Sequence, residues 1–188
     1  LENIKNSFHE IEQNIDDNTN GIIDNKMPVN DVSKLHHPIL KHFFYGCNEL
    51  NIKFNKNLNS KNINQVGHYN ITTFKGVRYS TSKVFLKPIL KNSRINVMTN
   101  TFVKKLTIKD KKVISLDLFS RGKNFTIKPN IGTILCSGSI MTPHILMHSG
   151  IGDPKKIKSI DKDVIINSPN VGSNLQDHLG LDYLFRTL

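Results

Sequence analysis

Residues 131–152 read IGTILCSGSIMTPHILMHSGIG, and no other stretch limits the fold of this chain so sharply. Its first half is apolar without alternation after Gly132 and Thr133. That pattern fits a central strand covered on both faces rather than a strand with one wet side. Gly138 follows, then a short apolar segment, then Gly150 and Gly152. The expected order is strand, glycine turn, helix, glycine stop. Thr142 is a natural N-cap and Pro143 a natural first helical residue, because proline has no amide to leave unpaired there. Ile145, Leu146 and Met147 supply apolar contacts, and Gly150 stands where a left-handed residue closes a helix. Gly138 lets a backbone or a ligand come close to the strand end. The spacing is neither GxGxxG nor that of a phosphate loop ending in Lys-Ser/Thr. The residues alone therefore leave two readings open: a ligand-facing junction, or a plain strand–helix connection.

A strand buried on both faces needs a sizeable core. The chain has 188 residues, 37% of them hydrophobic and 22% charged, which suits one soluble domain or parts of two. No apolar run approaches the roughly 18 to 20 residues of a membrane helix, and the polar start LENIKNSFHE is not a secretory signal. The chain opens on Leu and stops in the apolar YLFRTL, so a fragment of a longer protein is expected. Cys47 and Cys136 each lie in an apolar stretch and are expected to be buried free thiols of a reducing compartment.

The net charge of +11 raises the question of nucleic acid. The densest cluster is Lys104, Lys105, Lys109, Lys111 and Lys112. No aromatic residues are interleaved with it and no nucleic-acid motif occurs. Asn, Lys and Ile abound throughout, so the charge reads as compositional drift and no nucleic-acid partner is expected.

Residues 1–34 are polar, with one helix at the start and then loop with short extended pieces. HPILKHFFYGCNEL at 37–50 spaces Ile39, Leu40, Phe43, Phe44, Cys47 and Leu50 as one helical face, with Pro38 just inside its start. HYNITTF at 68–74 reads as a strand, followed by a Lys75-Gly76 turn and Val77-Arg78-Tyr79. Ser80 can cap a helix beginning at Thr81 and ending near Pro88. Residues 94–128 read as an antiparallel meander: RINVMTN, TFVKKLTI, KVISLDLF and NFTIK, joined by KDKK and Arg121-Gly122. In the third of these, Val113, Ser115 and Asp117 would face one way and Ile114, Leu116 and Leu118 the other. DVIINS is a short strand, and NVGSNLQDHLG is rich in turns.

Several polar pairs invite chemistry. Asp177 and His178 are adjacent, but adjacent residues rarely converge on one ligand, and a turn held by Asn174 and Asp177 accounts for them. His36 and His37 raise the same question. His144 and His148 lie four apart on the short helix, yet Ile145 stands where a zinc protease has Glu, so no metal is expected. Arg78, between a glycine turn and a Ser/Thr-rich helix start, can grip an anion or simply sit at the surface. No GxSxG, CxxC or GxGxxG occurs.

Four stretches together resemble the glucose–methanol–choline (GMC) family of FAD-dependent oxidoreductases. GSIMTPHILMHSGIG is similar to the family's second signature in order and spacing, with Ser139 and Thr142 as conservative departures. PNVGSNLQDHLG looks like its VGxNLQDH segment. GHYNITTFKGVRYSTSKVFLKP and INVMTNTFVKKLTIKDKKVISLDL resemble the stretches that precede the signature, so the resemblance covers about residues 36 to 182. Its tone is nearest to choline dehydrogenase-like members.

The resemblance implies an α/β fold: part of a Rossmann-like FAD/NAD(P)-binding domain with a β-meander and short helices, lacking the N-terminal βαβ unit. Residues 1–180 would belong to that domain, with 1–90 on the substrate side and 91–180 on the cofactor side. Residues 181–188 would begin a substrate-binding domain. FAD is the implied cofactor. Val103 matches the position whose backbone meets the adenine, and Cys136, Ser137 and Gly138 match the strand end that approaches the flavin nucleotide. No residue here matches the family's catalytic histidine, its GxGxxG or its acidic ribose ligand. The implied reaction oxidises a small alcohol, choline-like or another primary alcohol, to an aldehyde. The electron acceptor stays open, and the location is expected to be cytoplasmic or peripheral to the inner membrane. Two rival readings stay open: a lyase of the same family, hydroxynitrile lyase-like, with structural FAD, and a basic, non-enzymatic binding module.

Overall fold

The computed structural model describes residues 2–15, 19–56, 58 and 64–184. The chain divides into two compact units, Leu1–Val97 and Met98–Leu188.

In the first unit, helix α1 (Glu2–Ile11) leads into β1 (Glu12–Ile15), which pairs in parallel with β2 (Met27–Asp31). At the end of β2, Asp31 Oδ1 accepts the Ser33 amide at 2.9 Å and Oδ2 meets Lys56 Nζ at 3.2 Å. The Ser33 bonds, then Lys56, hold this carboxyl down at about 2. Helix α2 (Leu40–Glu49) forms where the apolar spacing places it. Its Phe44 meets Phe54 of β3 (Lys53–Phe54) with ring centroids 5.0 Å apart, and His68 at 4.9 Å. The rest of that apolar face stays open, with Phe43 and Leu50 exposed. β4 (Gln65–Val66) pairs with β3 in parallel.

The strand expected over 68–74 is divided. β5 (Asn70–Ile71) joins β2, whereas β6 (Thr73–Phe74) turns back on β7 (Val77–Arg78). Lys75 and Gly76 form the hairpin turn with φ of 48° and 72°, the left-handed pair that matches strand twist. Ser80 Oγ accepts the Lys83 amide at 3.3 Å, as a cap should. The helix it opens is π-type over Ser82–Leu86 and tightens to 3-10 over Lys87–Ile89, where Pro88 sits.

The second unit is built on β8 (Thr101–Lys109), β9 (Lys112–Ser120) and β10 (Lys123–Ile127), an antiparallel meander in the order β10-β9-β8. The turns are Asp110-Lys111 (φ 50° and 61°) and Arg121-Gly122 (φ 48° and 77°), again left-handed pairs. The expected first strand, RINVMTN, is irregular; it finds no ladder partner among the described residues. The expected alternation along β9 also fails in part, since Ser115 is buried, Leu118 is buried and Ile114 is exposed. Each strand carries one bulge: Lys104 is extra in β8 between Val103 and Lys105, and Ile114 is extra in β9 opposite Thr107 and Ile108. Bulges add local twist, so the covered face changes along the strand.

Helix α3 (Gly138–His148) packs against β8 and runs into β11 (Ile151–Gly152). Helix α4 (Pro154–Ser159) follows, capped by Asp153, whose Oδ1 accepts the Lys155 amide at 2.8 Å. Its Ile157 is fully buried, with 0% exposure. β12 (Ile166–Asn167), in the expected DVIINS, pairs in parallel with β11.

The central strand expected at 132–136 is not formed. The segment has no ladder partner among the described residues, and Ile134 is 88% exposed. A strand exists by pairing, and apolar composition alone does not supply the neighbour. Cys136 is correspondingly exposed, contrary to the expected burial, and Cys47 is half-buried; both are free thiols. Among the described residues, no helix is long and apolar enough to cross a membrane.

Candidate cofactor-facing site

Val103 lies half-buried in β8, opposite Leu118, at the edge of the first register shift. A bulge interrupts the ladder and leaves an extra residue, here Lys104, out of regular pairing. Backbone polar groups near such a point are available to something other than the neighbouring strand.

Cys136, Ser137 and Gly138 are all exposed and lead into α3. The helix starts at Gly138, five residues earlier than Thr142 as cap and Pro143 as first helical residue imply. Gly138 has φ 80°, and a Cβ there would meet nothing within 4 Å. The chain thus turns sharply beside open space, with no side chain in the way. Thr142 still acts on the helix start, because its Oγ1 accepts the Ser137 amide at 3.2 Å. Pro143 falls inside the helix and forfeits one internal hydrogen bond there.

The other end of α3 is fixed to the meander. Ser149 is 4% exposed. Its Oγ donates to the Ile145 carbonyl at 2.6 Å and accepts the Leu106 amide at 2.8 Å. β8 is an edge strand, so this hydroxyl takes a donor that the sheet leaves over. Gly150 then closes the helix with φ 81°, its amide bonded to the Met147 carbonyl at 3.0 Å. A Cβ at Gly150 would stand 2.5 Å from the Asp163 carbonyl oxygen. The VGxN stretch lies on the same helix: a Cβ at Gly172 would stand 3.4 Å from Pro143 Cβ. The structure thereby joins the two most specific sequence stretches and ties both to β8.

The two helix histidines lie tilted against each other at 4.3 Å between ring centroids, and His144 Nδ1 is buried without a partner among the described residues. Burial, then the charges of His144 and Lys162, hold the His148 imidazole below its ordinary range. Among the described residues no three His, Cys, Asp or Glu side chains gather in a metal-binding group. Asp177 and His178 are not brought to any of these residues; both side chains are exposed, and Asp177 Oδ1 accepts the His178 amide at 2.7 Å. Arg78 is exposed on β7 of the first unit, and His36 stacks on His68 at 4.5 Å in that unit.

Sequence reasoning missed two features. Ser149 carried no signal, since its partner Leu106 is 43 residues away. The bulge at Lys104 carried none either, because a register shift belongs to a pair of strands.

The family model described as GMC oxidoreductase matches residues 2–180. "Alcohol dehydrogenase [acceptor]" of Pseudomonas putida is 29% identical over 160 residues, covering 84% of this chain and 29% of its own length. "Choline dehydrogenase, mitochondrial" of Mus musculus is 27% identical over 146 residues, covering 78% of this chain and 24% of its own. Among solved structures, pyridoxine 4-oxidase from "Mesorbium loti" superposes with a TM-score of 0.80 at 20% identity, covering 90% of this chain and 34% of that one. The chain therefore spans under a third of the length of these two curated relatives.

Proposed function

This chain belongs to the GMC oxidoreductase family, and from that premise we propose that it forms part of the FAD-binding domain of an enzyme oxidising a small alcohol to an aldehyde. The match over residues 2–180 carries the proposal. Residues 1–90 would lie on the substrate side and 91–180 on the cofactor side. Residues 181–188 would begin the substrate-binding domain, with the whole in the cytoplasm or peripheral to the inner membrane.

The residues present fit the flavin nucleotide. Val103 would offer its backbone to the adenine beside a break in the ladder. Cys136, Ser137 and Gly138 would bring backbone close to the cofactor, because Gly138 keeps that side open. The bond from the Ser137 amide to Thr142 fixes the direction in which that turn faces. Bound FAD supplies the acceptor for the hydride of the alcohol carbon; the protein's part is orientation and exclusion of water. Ser149 and Gly150 contribute at one remove by holding α3, and hence its first turn, against β8. A choline-like alcohol is the leading substrate class, in keeping with the choline and alcohol dehydrogenase relatives.

The test is made on the full-length protein. It should purify yellow, and its flavin absorbance should bleach when an alcohol such as choline is added without oxygen. A colourless protein that takes up no FAD would favour the basic binding module. A flavin that no alcohol reduces, in a protein that cleaves cyanohydrins, would favour the lyase. Residues 1–188 alone contain no GxGxxG and no match to the catalytic histidine. They are expected to turn over no alcohol and to bind FAD poorly. Alcohol oxidation by this chain alone, or sub-micromolar FAD binding to it, would refute that assignment.

A further inference from the structure

The lysines that look like a surface run in the sequence do not stay together in the fold. Lys109, Lys111 and Lys112 sit at the β8–β9 hairpin. Lys104 and Lys105 instead line a cavity of about 480 Å³ within the second unit, together with Asp117, Thr126, His148 and Lys162. Consecutive residues of a regular strand face opposite sides, so two adjacent lysines on one cavity need an explanation. The bulge between Val103 and Lys105 gives it, because the extra residue re-aims the side chains beside it.

The charges in this cavity do not cancel. Asp117 Oδ2 lies 3.7 Å from Lys105 Nζ, and its Oδ1 accepts from Thr126 Oγ1 at 3.3 Å. Lys104 Nζ donates to the amide oxygen of Asn124 at 3.4 Å. Neither Lys104 nor Lys162 has a carboxylate partner among the described residues. Two uncompensated ammonium groups in one recess match a dianion; a single carboxylate would leave one of them unmatched. The lysines also converge into a concavity instead of tracking along a surface, which suits a small molecule and not a polymer backbone. We infer that this cavity binds the phosphoryl group of a small phosphate or phosphomonoester, held by Lys104, Lys105 and Lys162.

His148 makes the site responsive to pH. It is faced by His144 on its own helix, by Lys162 from the loop after α4, by Lys104 and Lys105 of β8, and by Asp117 of β9. Its burial, then His144 and Lys162, keep the imidazole neutral more readily than usual. A bound dianion opposes them and favours the imidazolium. By linkage, protonation of His148 must then tighten anion binding.

The full-length protein, purified with its flavin, is titrated with inorganic phosphate and with glycerol 3-phosphate by calorimetry at fixed ionic strength. Saturable binding of either anion supports the site, and the tighter of the two identifies the source. Lys104→Gln and Lys162→Gln should each weaken binding by about tenfold, and Lys109→Gln, outside the cavity, should leave it unchanged. No saturation, or equal weakening by all three, would assign the effect to net charge and overturn the inference. A second reading needs no lysine variant. Sulfate, which stays a dianion across the range, should raise the His148 titration midpoint by about half a unit or more, followed by the imidazole proton resonances. An unmoved His148 midpoint, or an equal shift at exposed His178, would also overturn it. Neither measurement depends on turnover of an alcohol, so failure of this site and failure of the proposed reaction can be told apart.

Discussion

Two segments of the second unit share the residue types that favour strands, and only one of them forms a ladder. Thr101–Ile127 turns twice on left-handed pairs and builds a meander from its own residues. Residues 131–136 are continuously apolar and remain unpaired, with Ile134 at 88% exposure. A meander gets its neighbours from the next few residues of chain. A strand meant for burial on both faces must get them from far away in sequence. The first segment therefore needs only a cover, which α3 provides through Ser149, Gly150 and the packing around them.

This contrast can be broken by mutation. The largest effect is expected from Gly150→Val. The left-handed backbone and the 2.5 Å approach to the Asp163 carbonyl oxygen should together cost roughly 2–5 kcal/mol in urea unfolding. A cost below about 1 kcal/mol would mean that the helix is not seated as described. Ser149→Ala comes next, at about 1–3 kcal/mol, because it strands the Leu106 amide at a buried edge. Amide exchange at Leu106 should rise with it, and an unchanged exchange rate would remove Ser149 from the cover.

A smaller effect is expected from pH. The His148 imidazole is held below its ordinary value of 6.5 in the folded chain. The unfolded chain then binds more protons once the pH drops to that region, so stability rises with pH there. Stability should fall as pH drops through about 6.5 and level off below the folded-state value. His148→Gln should flatten this part of the curve; an unchanged slope would place its origin elsewhere. The smallest effect belongs to the unpaired run. Ile134→Thr should change the unfolding free energy of residues 1–188 by no more than about 0.5 kcal/mol. A loss of about 2 kcal/mol or more would show that Ile134 is covered and would erase the contrast.

The hairpins were legible because their causes are local. Lys75-Gly76, Asp110-Lys111 and Arg121-Gly122 all sit where short polar or glycine pairs interrupt β-rich runs. Gly150 was legible for the same reason, as the left-handed residue after a helix. The start of α3 was not. Thr142-Pro143 has the chemistry of a helix opening, but Gly138 makes the turn first, and the threonine hydroxyl reaches back to Ser137 instead. Of the candidate site, Val103 and residues 136–138 were named through the family resemblance; their surroundings were not legible. The bulge beside Val103, the exposure of Cys136 and the Ser149–Leu106 bond all depend on partners distant in sequence.

The extra residue in β8 has a consequence for how this strand tolerates change. Side chains on a strand follow a two-beat rhythm, and the bulge at Lys104 drops a beat. Odd and even positions exchange sides across it. Deleting Lys104 would restore a regular ladder and keep Val103 opposite Leu118 and Lys105 opposite Asp117, so both halves would keep their present sides. Pairing every residue regularly with Lys104 kept would instead turn either the half containing Leu106 or the half containing Val103 to the wrong side. In this strand, length itself carries information that no single side chain does.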